Sequence, residues 1–146
     1  RADNVASRTA VLPDLAVVAD QLWRQSGLAP ADMDTAFLYD HFTPFVLMQL
    51  EEFGFCGRGE AVHFIRDGAT ALGGQVPVNV SGGLIAKGHP PGATGVAQVH
   101  EVVLQLRGQA GPRQVEGARI AMTHCTGGGV SGLDHGACTI HILASH

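Results

Sequence analysis

A histidine and a cysteine, each set among glycines, are the residues of this sequence best suited to chemistry. His89 lies in segment 88–92, Gly-His-Pro-Pro-Gly, and a helical pattern begins nearby at Thr94. Cys125 ends a β-type run and is followed by threonine and three glycines. A rigid loop beside the positive end of a helix suits a histidine that donates a hydrogen bond to a developing oxyanion. A cysteine at a strand end with small neighbours suits a thiol that meets a ligand.

The residue types alone leave a structural role open for both side chains. A lone loop histidine is often solvated, and a free cysteine is often an inert core residue.

Two other interpretations of these segments, as a phosphate-binding loop and as a zinc site, are weaker. Segment 83–88 has the spacing of a phosphate-binding loop, but His89 follows where that loop carries lysine. Cys125, His135 and Cys138 match no common zinc-ligand spacing, so we expect no metal. No G-x-G-x-x-G fingerprint opens a helix, so we expect no nucleotide cofactor either.

Composition narrows the functional class. The chain of 146 residues is long enough for about one domain, and 45% hydrophobic residues indicate a globular core. The net charge of −4 and the absence of a basic run argue against nucleic acid as a partner. The sequence shows neither a signal peptide nor an apolar run of membrane-spanning length. The 3 cysteines include no C-x-x-C pair, which favours a reducing, cytoplasmic location.

The elements that must position these residues alternate between helix and strand. Hydrophobic spacing and capping residues predict helices over 14–26, after Thr43-Pro44, over 60–66 and from Thr94 to Gly108. Val96, Val99, Val103 and Leu106 form the apolar stripe of the last helix. Short apolar runs predict strands over 35–39, 76–80, 118–123 and 137–143, the last two on either side of a glycine-rich turn. This order indicates a layered α/β domain with a mixed sheet of about five strands.

Three stretches of the sequence resemble one protein family. Residues 79–95, Asn-Val-Ser-Gly-Gly-Leu-Ile-Ala-Lys-Gly-His-Pro-Pro-Gly-Ala-Thr-Gly, resemble the signature near the C-terminus of thiolases. Cys125-x-Gly-Gly-Gly resembles the second C-terminal thiolase motif, in the expected order and at the expected distance. Residues 39–42, Tyr-Asp-His-Phe, together with 51–60, resemble sterol-carrier-type thiolases and related lipid-transfer proteins. The resemblance covers the chain from about residue 11 onward.

The resemblance implies a half-enzyme. Thiolases consist of two similar layered halves, and their nucleophilic cysteine lies in the N-terminal half, whose motif these residues do not contain. The resemblance therefore implies a lead-in over 1–10 and a C-terminal α/β/α thiolase half over 11–146. Acyl-CoA is the implied substrate and the N-terminal thiolase half the implied partner. The chain alone is then expected to be inactive.

Roles for individual residues follow from the matched motif positions. His89 matches the histidine that activates the nucleophile and lines the oxyanion hole. Cys125 matches the general acid/base that acts on the α-carbon of the second acyl unit. Tyr39 stands where thiolases have an asparagine that orients a water molecule, and its phenol can exchange a proton instead. The implied substrate-binding residues are Asn79, Gly82, Gly83, Gly88, Gly127 and Gly128.

Three functions fit this site. The leading hypothesis is the catalytic half of a thiolase-like acyltransferase for lipid or steroid-derived acyl-CoA thioesters. The first alternative is a lipid-transfer or acyl-CoA-binding module without turnover. The second is a steroid-CoA retro-aldolase subunit that uses Tyr39 and requires an OB-fold/zinc-ribbon partner. An exposed apolar face, left by the missing half, further predicts a homo-oligomer.

Overall fold

Helices and strands alternate along the described part of the chain. A computed structural model of the protein describes residues 12–131 and 134–145. The helices are α1 (Pro13–Ser26), α2 (Thr43–Glu52), α3 (Ala61–Arg66), α4 (Gly83–Lys87) and α5 (Thr94–Leu106). The strands are β1 (Thr35–Phe37), β2 (Ile120–Ser131) and β3 (Asp134–Ala144). Single 3₁₀ turns lie at Pro30–Asp32 and Gly111–Arg113.

Local sequence sets the ends of the helices. α1 begins at a proline, whose fixed φ suits the first turn, and it stops at Gly27 with φ 68°. This left-handed cap donates its backbone N–H to the carbonyl of Trp23, as a glycine after a helix commonly does. Helices over 14–26 and from Thr94 are therefore confirmed, and α3 begins one residue later than predicted.

The sheet has helices on both faces. Its strand order is β1-β2-β3 over the described residues, with β1 parallel and β3 antiparallel to β2. Because side chains alternate along a strand, Ala36 and Met122 belong to one core cluster, which includes residues of α1 and α2. Phe37 and Ala121 belong to a second cluster with Val102 of α5. The predicted α/β/α layering is confirmed.

The predicted number of about five strands is wrong for the described residues, which form three. Residues 76–80 lie beside β1 but make only one bridge, between Ala36 and Val78. Pro77 has no N–H to donate, although its carbonyl accepts the N–H of Ala36. At Asn79 the backbone turns to φ 50°, which ends the extended conformation.

Two further predictions differ from the structure. The glycines after Cys125 do not form a turn, because Gly127 and Gly129 are paired with residues of β3 inside a longer hairpin. The apolar stripe of α5 is only partly buried: Leu106 packs against the cluster of Phe37 and Ala121, whereas Val96 is 71% exposed. Gln98 and Gln105 of the same helix are buried. The Gln105 amide finds partners near the helix end, where it bonds to the backbone of Arg113 and Val115.

Candidate active site

His89 is held at both ring nitrogens. It lies between α4 and α5, one residue after Gly88, whose φ of 85° turns the chain out of α4. Its Nδ1 lies 2.7 Å from the Thr94 hydroxyl, in the first turn of α5. Its Nε2 lies 3.1 Å from the phenol oxygen of Tyr39, 50 residues earlier in the chain. Two contacts of this kind fix the orientation of the imidazole.

The two contacts favour one tautomer. The Thr94 hydroxyl is oriented to donate to the carbonyl of Pro90, at 3.5 Å, which leaves its oxygen to accept from the His89 Nδ1–H. The lone pair on Nε2 then accepts the Tyr39 O–H. In this arrangement His89 is a base with a hydroxyl already hydrogen-bonded to it, a geometry suited to proton transfer.

Tyr39 retains its proton near neutral pH. The side chain is 8% exposed, and burial together with nearby Cys125 raises the pKa of the phenol above its ordinary value of 10.0. Its backbone is fixed from behind, because Gln49 Nε2 donates a hydrogen bond of 2.9 Å to the Tyr39 carbonyl. Gln49 Oε1 in turn lies 3.1 Å from Nδ1 of His124, which precedes Cys125 on β2. This buried chain links the segment after β1, which carries Tyr39, to β2, which carries Cys125.

Cys125 faces the same cavity as the Tyr39–His89 pair. The cavity measures about 530 Å³ and is also lined by Thr139 and His141 of β3. Burial raises the pKa of the Cys125 thiol, and a backbone hydrogen bond at Thr126 opposes that shift. The thiol is therefore protonated at neutral pH and can donate a proton. The structure brings His89, Cys125 and Tyr39 to one cavity, and the catalytic roles expected of them stay predictions.

The residues predicted to bind substrate are more dispersed. Asn79, Gly83 and Gly88 line a neighbouring cavity of about 220 Å³. The amide of Asn79 is used within the fold, since it accepts the N–H of Leu38 at 2.9 Å and donates to its carbonyl at 3.0 Å. Gly82 has φ 97° at the start of α4.

Gly127 and Gly128, also predicted to bind substrate, lie exposed on β2. Substrate binding by these two glycines, and by Asn79, Gly82, Gly83 and Gly88, stays a prediction.

Sequence reasoning missed three residues that support the site: Thr94, Gln49 and Asp40. Thr94 marks a helix start and belongs to the motif of residues 79–95, and its spacing of five residues from His89 allows the contact across the loop. Gln49 is 1% exposed on α2, where a polar residue in an apolar helix signals a buried hydrogen bond. Asp40, 5% exposed, follows Tyr39 directly.

The possible zinc ligands do not converge within the described residues. Cys125 is opposite Thr139 and Cys138 is opposite Thr126, so the two cysteines point to opposite faces of the hairpin. The side chain of His135 lies outside the described residues. Over residues 12–131 and 134–145, no three histidine, cysteine or acidic side chains form a group that could hold a metal ion. In the same ranges no helix has the length and apolar character needed to cross a membrane.

The layered fold and the histidine–cysteine site define a thiolase-type domain, and comparison with known proteins agrees. Residues 4–138 match the family model described as thiolase C-terminal domain-like. The chain is 50% identical over 122 residues to 17-hydroxy-3-oxo-4-pregnene-20-carboxyl-CoA lyase of Mycobacterium tuberculosis, covering 84% of this chain and 31% of that protein.

Two further similarities involve different activities. The chain is 45% identical to an acetyl-CoA acetyltransferase of Methanothermobacter thermautotrophicus, covering 86% of this chain and 32% of that protein. It superposes on a chain of the Ltp2-ChsH2(DUF35) aldolase with a TM-score of 0.76 and 36% identity, covering 92% of this chain and 32% of that one. The chain belongs to the thiolase superfamily as a C-terminal domain. It spans about a third of the length of these relatives.

Proposed function

We propose that the full-length protein carrying this domain cleaves a β-hydroxyacyl-CoA thioester by a retro-aldol reaction. The observation that carries the proposal is the hydrogen bond of 3.1 Å between the Tyr39 phenol and Nε2 of His89. It places a base and a hydroxyl relay in the cavity that also contains the thiol of Cys125. The similarity to a steroid-CoA lyase and to an aldolase supports the same reaction class.

The three side chains provide the proton transfers that the reaction requires. The Tyr39 phenol takes the proton of the substrate β-hydroxyl while its own proton passes to His89 Nε2. The O–H electron pair forms the new carbonyl, the bond between the α- and β-carbons breaks, and its electrons form the thioester enolate. The Cys125 thiol then protonates the α-carbon. The products are a ketone or aldehyde and a shortened acyl-CoA, and the proton on His89 returns through solvent to the Cys125 thiolate.

Acyl transfer of the thiolase type is the second candidate. His89 and Cys125 occupy the thiolase motif positions and face one cavity, which favours this chemistry. It requires a nucleophilic cysteine from the N-terminal half, and in the thiolysis direction the Cys125 thiol protonates the α-carbon of the departing acyl-CoA. In the tautomer described above, Nε2 of His89 accepts the Tyr39 O–H and does not donate to a thioester oxyanion, and for this reason we rank acyl transfer second.

The apolar stripe on α5 supports a role as part of a larger assembly. Val96 is 71% exposed, and Val99 and Val103 are only partly buried. Val96 and Val99 also line the cavity that contains Cys125, whereas Leu106 packs against the domain's own core. A stripe of this kind on a helix is typical of a surface that another protein element covers. We propose that the N-terminal thiolase half covers it in the full-length protein, and that the isolated domain is inactive and self-associates. We further propose that the full-length protein binds an OB-fold/zinc-ribbon partner, and co-purification of the two proteins tests this.

The experiment compares two substrates with the full-length protein in D₂O. Retro-aldol cleavage predicts that a tertiary β-hydroxyacyl-CoA, steroid-derived or branched, yields a ketone and an acyl-CoA with one deuterium at the α-carbon. Acyl transfer predicts instead that acetoacetyl-CoA and CoA yield acetyl-CoA through a trapped acyl-enzyme. His89→Ala and Cys125→Ala should each lower the observed turnover by orders of magnitude. If the protein binds thioesters but turns over neither substrate, both reactions are wrong and the function is that of a lipid-transfer or acyl-CoA-binding module.

A further inference from the structure

The acidic residue next to Tyr39 contacts the beginning of the segment that carries His89. Asp40 is 5% exposed, and its Oδ1 accepts a hydrogen bond of 2.7 Å from the backbone N–H of Leu84. Its Oδ2 accepts a longer one of 3.3 Å from the backbone N–H of Ile85. Both amides belong to the first turn of α4, and a single glycine separates the end of α4 from His89.

We propose that Asp40 is a positioning residue that fixes His89 through α4. Two consecutive side chains then hold segment 83–89 at both ends, Asp40 at its first amides and Tyr39 at the imidazole. Proton transfer depends on the separation of donor and acceptor, here 3.1 Å, so the position of the segment matters for the rate. The inference rests on the proposed function, in which His89 is the base.

The fit between Asp40 and α4 leaves no space for another side chain. A Cβ on Gly83 would overlap Oδ2 of Asp40 and would lie 2.6 Å from its Cγ. Gly83 also has φ 60°, a conformation that glycine adopts without strain. The second glycine of the Gly82-Gly83 pair therefore allows the carboxylate to reach the amides of α4.

The chain contains a second carboxylate with the same type of contact, at the beginning of β1 and β2 and five residues before Tyr39. Asp34 Oδ2 accepts hydrogen bonds of 2.8 Å from the backbone N–H groups of both Arg119 and Ile120. Asp34 precedes β1, whereas Tyr39 follows it. Asp34 thus provides a matched control for the loss of a carboxylate that binds two backbone amides.

The first test measures kcat, KM and the melting temperature of full-length Asp40→Ala, Asp40→Asn and Asp34→Ala proteins. We expect Asp40→Ala to lower kcat about 100-fold, because a small displacement of a catalytic group has an effect of this size, while KM changes less than about threefold. Asp40→Asn retains one acceptor oxygen and should recover part of the loss. Asp34→Ala should lower the melting temperature and keep kcat within about threefold of the unmodified protein.

A second pair of variants disrupts the contact from the other side. Gly83→Ala and Gly27→Ala both place alanine at a φ between 60° and 68°, so the backbone strain is similar. Only Gly83→Ala pushes a methyl group against Asp40, since nothing lies within 4 Å of a Cβ at Gly27. We expect Gly83→Ala to reproduce the kcat loss of Asp40→Ala, and Gly27→Ala to affect stability alone.

A measurement independent of turnover separates this inference from the proposed function. In the full-length protein labelled with ¹⁵N-histidine, the ring signals of His89 are assigned by their loss in His89→Gln. We expect one protonated nitrogen and one acceptor nitrogen, and we expect Asp40→Ala to shift both toward the averaged values of a mobile histidine. If the signals shift but no reaction is detected, the positioning role holds and the proposed function fails. If the His89 ring signals and kcat of Asp40→Ala are the same as those of Asp34→Ala, the positioning role is wrong.

Discussion

Removing the Tyr39 hydroxyl and the His89 imidazole, singly and together, tests whether the two groups act as one proton relay. The phenol oxygen and Nε2 are 3.1 Å apart, so the loss of either group interrupts the same transfer. Tyr39→Phe keeps the ring in a site that is 8% exposed and leaves Nε2 without its donor. His89→Gln removes the acceptor and leaves the phenol in place.

The expected magnitude follows from the proton transfer that is lost. General acid–base catalysis contributes about 10²- to 10⁴-fold, so each single variant should lose about 3–6 kcal/mol of transition-state stabilisation at ~1.4 kcal/mol per factor of ten. Because both variants break one path, the double variant should lose no more than the more damaged single variant. The coupling energy should therefore be nearly as large as one single loss.

Single-turnover cleavage of a β-hydroxyacyl-CoA by the full-length protein provides the assay, because it isolates the chemical step from product release. His100→Gln is the control, since His100 is an exposed histidine on α5. If the two single losses of transition-state stabilisation add in the double variant, the relay is refuted. A Tyr39→Phe protein whose cleavage rate is within about threefold of the unmodified protein would refute it as well.

Three further predictions concern stability and its pH dependence. Asn79→Ala should lower the free energy of unfolding by about 1–3 kcal/mol, measured in urea, because both backbone groups of Leu38 lose a partner. Glu101→Gln should destabilise the protein at pH 7 by about 1–2 kcal/mol. Burial alone would raise the pKa of Glu101, but hydrogen bonds from Arg113 and Gln105 outweigh it and lower that pKa below its ordinary value of 4.5. The difference in unfolding free energy between Glu101→Gln and the unmodified protein should therefore shrink as the pH falls below 4.5 and the carboxylate of Glu101 becomes protonated. Burial raises the pKa of the Cys138 thiol from 9.0 to about 11, so the stability that the buried thiol contributes should be lost as the pH rises through this range. The melting temperature of Cys138→Ala should therefore fall less steeply than that of the unmodified protein between these pH values. An equal fall in both proteins would contradict the raised pKa.

Much of the local structure was predictable because it depends on neighbouring residues. Proline at the start and glycine after the end delimit α1, and the Thr94 region begins α5, since capping and backbone conformation act over a few residues. The thiolase motifs likewise identified His89 and Cys125 as functional candidates. Their exact reaction was not predictable, because the motif residues are compatible with more than one way of moving protons.

The failed predictions concern interactions between distant segments. The strand at 76–80 has apolar alternation, but Pro77 and the turn at Asn79 limit its pairing with β1 to one bridge. α5 buries Gln98 and Gln105 and leaves Val96 exposed, since hydrophobic spacing does not reveal which polar groups will be buried or which apolar residues await another element.

The sequence by itself determined the family, the succession of helices and strands, and the two side chains most suited to chemistry, because motifs and capping signals are local. Only the tertiary structure decided that Tyr39 would reach His89 across 50 residues, and that Asp40 would hold α4 from the strand side. The physical reason is that parallel pairing of β1 with β2 and the close approach at Gly83 depend on packing over the whole domain. No spacing along the chain encodes a distance of that kind.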